Sequence, residues 1–387
     1  MTSHAFETFR IFLLLGLTSF GGPVAHLSYF REAFVIRRQW LSERAYADLV
    51  ALSQFLPGPA SSQVGMAIGL QRAGYAGLFA AWAGFTLPSV LMLVGFAYGA
   101  SVLGLDAGLL QGLKVAAVAV VAYAVLGMGQ SFLTDLKRGA IAFMALAVLL
   151  LLPSSLGQLL VIAFGGLAGF LVLHAPADHT PHETLNVPVS RAVSIICLVL
   201  FFLLLAGLPL LAAAAGDPLL HMTDSFYRTA SLVFGGGHVV LPLLQAEFVN
   251  PGLVSHETFL AGYGAAQAVP GPLFSFAAYL GASMLGLWGA LIAIIAIYIP
   301  SFLLVTGALP FWDRLRALPR AQAALAGVNA AVVGLLAAAL YNPVFIQGIT
   351  SLTGLALALL CFAALLSRRV PVWAMVIAAG IAGQLLL

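Results

Sequence analysis

With 387 residues, 62% hydrophobic and only 7% charged, this chain cannot build a water-facing surface, because a soluble domain carries about 25% charged residues. That leaves a polytopic membrane protein. The net charge is +3 and only Lys114 and Lys137 are lysines. With no basic run interleaved with aromatics, nucleic acid is excluded as a partner and the positive excess is assigned to cytoplasmic loops. Cys197 and Cys361 stand alone in apolar runs; they read as small packing residues, with no disulfide and no metal framework.

From the N-terminus, a few polar residues lead into an apolar run that ends at Phe20. Glu7 and Arg10 beside so short a run do not suit a signal peptide. Gly21-Gly22-Pro23 should unwind and restart the helix, since glycine tolerates positive φ and proline suits a first helical position. Phe30 to Arg44 is basic and amphipathic, and Leu49 to Leu70 is apolar but split at Pro57-Gly58-Pro59. One crossing needs about 20 apolar residues. Spans are therefore expected over Ala73–Leu105, Gly108–Phe132 (interrupted by Lys114), Gly139–Leu152 and Leu156–Leu173. His174 to Arg191 is proline-rich and polar, and with His174, His179 and His182 it reads as a solvated linker in preference to a metal site.

Ala192–Ala215 is a further uncharged span with no counterpart in the first half. Thr258–Trp312 carries no charge, and Ala321–Leu340, Ser351–Leu366 and Val372–Leu387 complete the chain. The expected divisions are an N-terminal membrane repeat (1–174), a polar linker (175–190), a connecting transmembrane helix (191–216) and a C-terminal membrane repeat (217–387).

The halves repeat each other. The first glycine break returns as Phe234-Gly235-Gly236-Gly237-His238, and Gln54-Phe-Leu-Pro57-Gly58-Pro59 returns as Gln267-Ala-Val-Pro270-Gly271-Pro272. Phe20 and Phe234 are 214 positions apart, Pro57 and Pro270 213. Paired interruptions at corresponding places in two halves point to a transport site. The loop at Arg37-Arg38 is basic whereas its counterpart (Glu247, His256, Glu257) has no Lys or Arg. The Arg314–Arg320 loop is basic whereas its counterpart near Asp106 is nearly free of them. Equivalent loops should therefore face opposite sides, with Ala192–Ala215 as the odd crossing that inverts the halves. The expected fold is an all-α polytopic membrane protein with two inverted-topology repeats and broken, re-entrant helical hairpins, allowed where protein or a water-filled cavity covers the open backbone.

Helix restarts at Pro23 and Pro59 leave unpaired N–H groups and a positive dipole end, the makings of an oxyanion site. Ser61 and Ser62 follow Pro59 and can donate hydrogen bonds; Ser275 takes the place of Ser62 in the second repeat. Gln54 and Gln267 stand three residues ahead of each Pro-Gly-Pro and could reach the same point. Lys114 is an intramembrane cation near the start of its span. It reads as part of an anion site or as a side chain reaching to the interface, and Asn329 is its repeat counterpart. His26 and His238 follow the glycine breaks and read as packed neutral rings or as proton-coupling groups. Asp48 and Arg72 read as interfacial.

On Ser19-Phe-Gly-Gly-Pro23 with His26, Arg37-Arg-Gln-Trp-Leu41, Gln54-Phe-Leu-Pro-Gly-Pro59 and their second-half versions, the chain resembles the chromate ion transporter family in its long, two-repeat form. The resemblance implies an inner-membrane transporter that expels chromate, driven by the membrane potential or a proton gradient, with sulfate as a close mimic. Gly237 departs from the pattern by replacing the proline of the first glycine break. The expected ligand is a chromate- or sulfate-like oxyanion held at these residues in the lipid bilayer, with alternating access and no cofactor; a coupling proton and a homodimer are left open. Two rivals remain. An intramembrane diphosphate phosphatase would want an arginine beside the loop serine and paired carboxylates, neither of which these spans supply. A scaffold or passive channel would not need the paired breaks.

Overall fold

The computed structural model describes residues 2–103, 107–174, 189–316 and 318–387. Among them the regular structure is entirely helical. Most of the linker, with His179 and His182, lies outside the described residues, as does Asp106.

The first half runs through α1 (Thr2–Thr18), α2 (Gly22–Arg31), a π-helical turn (Glu32–Arg37), α3 (Glu43–Phe55), α4 (Ala60–Leu103), α5 (Ala107–Phe132), α6 (Leu136–Leu151) and α7 (Ser155–Val172). After α8 (Arg191–Ala215) the order returns. It comprises α9 (Pro218–Leu232), a 3₁₀ turn at Gly237–Val239, α10 (Val240–Leu244), a π-helical segment (Gln245–Val249), α11 (His256–Ala268), a 3₁₀ turn at Leu273–Ser275 and α12 (Phe276–Ala308). Then come α13 (Trp312–Arg316), α14 (Pro319–Ala339), α15 (Ile346–Gly348), α16 (Leu352–Leu366) and α17 (Val372–Leu386). Ser42 and Ser255 cap α3 and α11 in the same way, each accepting a hydrogen bond from the amide three residues on, which satisfies one of the orphan donors of a first helical turn.

The long apolar stretches of α4 and α12 are not straight rods. Both bend sharply at matching dipeptides, Ala73-Gly74 and Leu285-Gly286, where the glycines take φ of 62° and 61°. In a continuous helix Gly69 and Gly77 would stand about 12 Å apart at 1.5 Å per residue. Instead, a Cβ on Gly77 would lie 2.0 Å from the Gly69 carbonyl oxygen, and a Cβ on Gly289 2.1 Å from that of Gly281. Each bend is thus a reversal, and only backbone without side chains lets the two arms approach so closely.

The first two helices of each half also double back. Phe12 of α1 stacks on Phe34 after α2 at a ring separation of 5.0 Å, and Phe226 of α9 meets Phe248 after α10 at 4.5 Å. Arg31, the last residue of α2, pairs with Glu43 at the start of α3. Arg72, at the end of the first arm of α4, reaches Glu7 of α1 and lies over the Trp40 ring. Arg31, Glu43, Arg72 and Glu7 therefore gather at one end, while Gly58, Pro59, Gly237 and Pro272 of the breaks are buried and Gly21 is exposed. Asp48, expected at the interface, is buried in α3.

Six helices among the described residues are long and apolar enough to cross a bilayer: 60–99, 107–132, 155–172, 191–215, 273–311 and 319–348. Helices α6, α16 and α17 are apolar but shorter, at 16, 15 and 15 residues. The uncharged stretch from Thr258 to Trp312 comprises α11, the expected break at Pro270-Gly271-Pro272 and the folded α12.

Candidate functional site

The four breaks meet, and they meet crosswise. The Gly58 amide of the first Pro-Gly-Pro donates to the Val233 carbonyl beside the second glycine break at 2.8 Å, and the Gly271 amide donates to the Ser19 carbonyl at 3.0 Å. A Cβ on Gly237 would sit 3.5 Å from Pro23 Cγ, so the two glycine breaks also touch. Each Pro-Gly-Pro leans on the long helix of the other half. A Cβ on Gly58 would lie 2.9 Å from Ser301 Oγ of α12, and one on Gly271 3.0 Å from Ser89 Oγ of α4. Ser89 and Ser301 each follow a proline inside their helix, Pro88 and Pro300, a signal present in the sequence and not used above.

His26 organises the first half of this junction. It is 1% exposed, with Nε2 3.2 Å from the Ser19 carbonyl and Nδ1 3.3 Å from Ser61 Oγ. A carbonyl only accepts, so the ring proton resides on Nε2, and in the neutral ring Nδ1 accepts from the Ser61 hydroxyl. The Ser19 oxygen thereby receives two donors, His26 and Gly271. His238 sits differently, with Nδ1 2.8 Å from the Tyr263 hydroxyl.

The serines expected to face a ligand are engaged with protein in this arrangement. Ser62 Oγ lies 3.3 Å from the Tyr298 hydroxyl and Ser275 Oγ donates to the Pro272 carbonyl at 2.6 Å. Gln54 is exposed, and the glutamine that reaches the break is Gln63, whose Nε2 donates to the Pro57 carbonyl at 2.7 Å. Sequence spacing missed Gln63, Tyr298, Ser301 and Ser89. Unengaged polar atoms include Ser19 Oγ, Gln63 Oε1, Trp82 Nε1, Thr86 Oγ1, Gln267 Nε2 and Asn329 Oδ1, all buried without a hydrogen-bond partner among the described residues. Asn329 Oδ1 stands 3.2 Å from where a Cβ of Gly235 would be. The Gln63 amide bonds back to the Pro59 carbonyl, so the N–H groups of Ala60, Ser61 and Ser62 form the open first turn of α4.

Lys114 is not among these groups. Its Nζ lies 3.4 Å from Glu257 Oε1 at the first turn of α11, with side-chain exposures of 12% and 61%. The carboxylate that sequence reading did not find near it thus comes from the other half. Two more acidic groups, Asp224 and Glu247, are inside the protein around Arg228, so Glu247 is not a loop charge.

Folded-back helical arms, chain breaks that meet across the two halves and unengaged polar atoms beside them define a polytopic membrane protein with a polar junction between its halves. Residues 6–170 and 220–384 each match the family described as "Chromate transporter", and the chain belongs to that family. It is 28% identical to a probable chromate transport protein of Synechococcus elongatus over 97% of this chain and 93% of that one. It is 29% identical to a chromate transport protein of Pseudomonas aeruginosa over 98% and 92%. One from Cupriavidus metallidurans is 26% identical over 85% and 80%. No solved structure matches.

Proposed function

We propose that this protein is an inner-membrane carrier that exports chromate, binding the dianion where the four breaks meet and exposing it to each side in turn. The observation that carries the reading is the pair of crosswise hydrogen bonds, Gly58 to Val233 and Gly271 to Ser19. They join the halves through backbone donors that, once parted, are free for an oxyanion, together with the first turn of α4 and the unengaged Ser19 and Gln267. The two halves are inverted about this junction, an orientation supported by the charge asymmetry of equivalent loops and by α8, a single apolar helix linking the end of one half to the start of the next. Export of a dianion is favoured by an inside-negative potential at about 2.3 kcal/mol per charge per 100 mV, roughly twice that for two charges.

Among the described residues the serines at the breaks hydrogen-bond to histidine, tyrosine and backbone and to no arginine or carboxylate. Diphosphate chemistry wants those two groups beside its nucleophile, which favours a carrier over a phosphatase. Uptake of labelled chromate into inverted vesicles containing the full chain tests the proposal. Saturable flux with competition by sulfate is expected. Non-saturating flux would indicate a channel, flux of sulfate alone would reassign the substrate, and no flux of either would overturn the reading.

A further inference from the structure

We propose that Asp224 and Glu247, bridged by Arg228, form the proton-binding site that couples transport to a proton gradient. This rests on the carrier reading above, although its first test does not. One guanidinium nitrogen, Arg228 Nη2, lies 2.8 Å from both Asp224 Oδ2 and Glu247 Oε2, and Ser225 Oγ donates to the same Glu247 oxygen at 2.9 Å. Two carboxylates share one positive charge, leaving a net charge of −1 in a site where Asp224 is 4% exposed. An uncompensated buried charge is costly, and two carboxylates held together favour the uptake of one proton between them. Arg228, Glu247 and Thr229 line a small crevice with Ser155 and Gln158 of α7. Three atoms here are buried without a partner among the described residues: Asp224 Oδ1, Arg228 Nε and the hydroxyl of Thr229, which is 1% exposed. A proton arriving on Asp224 Oδ1 converts carboxylate to carboxylic acid with no other bond broken, and Oδ2 then holds Arg228 less strongly. The charged or titratable groups acting on Asp224 are Arg228, Glu247 and His221. α7 presents the neutral Ser155 and Gln158, and α8 and α12, which also pack on α9, add none.

The position links the proton to the junction. Asp224 and Arg228 belong to α9 and Glu247 to the returning arm, so the cluster clamps the two arms of one hairpin. α9 ends at Leu232, and the next residue, Val233, accepts the Gly58 amide. The first half keeps the ring pair, with Phe12 and Phe34 matching Phe226 and Phe248. In the same register, however, it has Arg10, Leu14 and Ala33 where Asp224, Arg228 and Glu247 stand. The device is therefore confined to one half.

Infrared difference titration of the full chain in liposomes is the first test. A buried carboxylic C=O band should appear as pH falls and be lost in Asp224→Asn. A band absent from the wild type, or equal in both, overturns the site whether or not chromate moves. The second is chromate flux in liposomes with the potential clamped by valinomycin and potassium, with a trapped pH dye. A pH gradient with the acid side where chromate arrives should accelerate wild-type flux, and protons should move opposite to chromate. Asp224→Asn, with Glu247→Gln as a second variant should the first fail to fold, should lose both effects and retain potential-driven flux. Variants that keep gradient stimulation overturn the coupling role, whereas a wild type that moves no chromate overturns the carrier reading and leaves the infrared result to decide the proton site.

Discussion

The amide of Gly58 and the carbonyl of Val233, from opposite halves of the chain, share a 2.8 Å hydrogen bond at the centre of the protein. Gly58 holds φ at +123°, and a Cβ there would fall 2.5 Å from Gln63 Nε2 and 2.9 Å from Ser301 Oγ. Gly58→Ala is therefore expected to cost about 1–3 kcal/mol from the backbone conformation alone and to abolish chromate flux at equal protein level. Gly127→Ala, in the regular helix α5 with nothing within 4 Å of the added methyl, should retain flux. Thermal unfolding in detergent beside vesicle flux checks both, and equal behaviour of the two variants would count against the junction.

Gly77→Ala places a methyl 2.0 Å from the Gly69 carbonyl oxygen. Forcing the arms of the first reversal apart should cost about 1–3 kcal/mol, as overpacking does. The same loss is expected for Gly289→Ala in the second half, because its contact repeats the first. A lowered apparent Tm in both, against Gly95→Ala where the methyl meets open space, is the outcome to look for.

His26→Ala strands the Ser61 hydroxyl and one lone pair of the Ser19 carbonyl, and buried groups left unpaired cost about 1–3 kcal/mol. The apparent Tm should fall accordingly. His26→Gln should preserve the pH dependence of chromate flux, which Asp224→Asn should lose. A shifted pH profile in His26→Gln would move the proton role to the histidine.

Lys114→Ala removes an ion pair whose partner Glu257 is 61% exposed, and such pairs contribute about 0–1 kcal/mol. Stability and the chromate KM are expected to change little, KM by less than about twofold. A large rise in KM would place Lys114 on the anion's path despite its position.

Cysteine labelling from one side of the membrane should distinguish Arg37→Cys from Leu253→Cys, both at exposed positions. Reaction from opposite sides is expected of inverted halves, and reaction from the same side refutes the inversion.

The breaks were legible in the sequence because Gly-Gly and Pro-Gly-Pro interrupt apolar runs and recur 213 to 214 positions apart. Their crosswise pairing was not, since it is made by the backbone atoms of Gly58, Val233, Gly271 and Ser19, which leave no side-chain signature. Glutamine reach failed for a local reason. Gln54 precedes the break on an exposed face, whereas Gln63, one turn into α4, faces back toward Pro57. The reversal at Leu285-Gly286 was hidden because its flanking residues are as apolar as an unbroken span, whereas Gln71-Arg72 marks the polar end of the first arm just before Ala73-Gly74. Asp224 and Arg228 stood in view at a helical i, i+4 spacing, but Glu247 joins them only through the return of the chain.

The pairing of Gly58 with Val233 and of Ser19 with Gly271 has a genetic corollary. Neither half could satisfy those backbone groups alone in hydrocarbon, where every orphaned amide or carbonyl costs several kcal/mol. A lone half should thus be retained only alongside its complement. Splitting the coding region between α8 and α9 ought to yield two polypeptides that are degraded separately and rescued by co-expression.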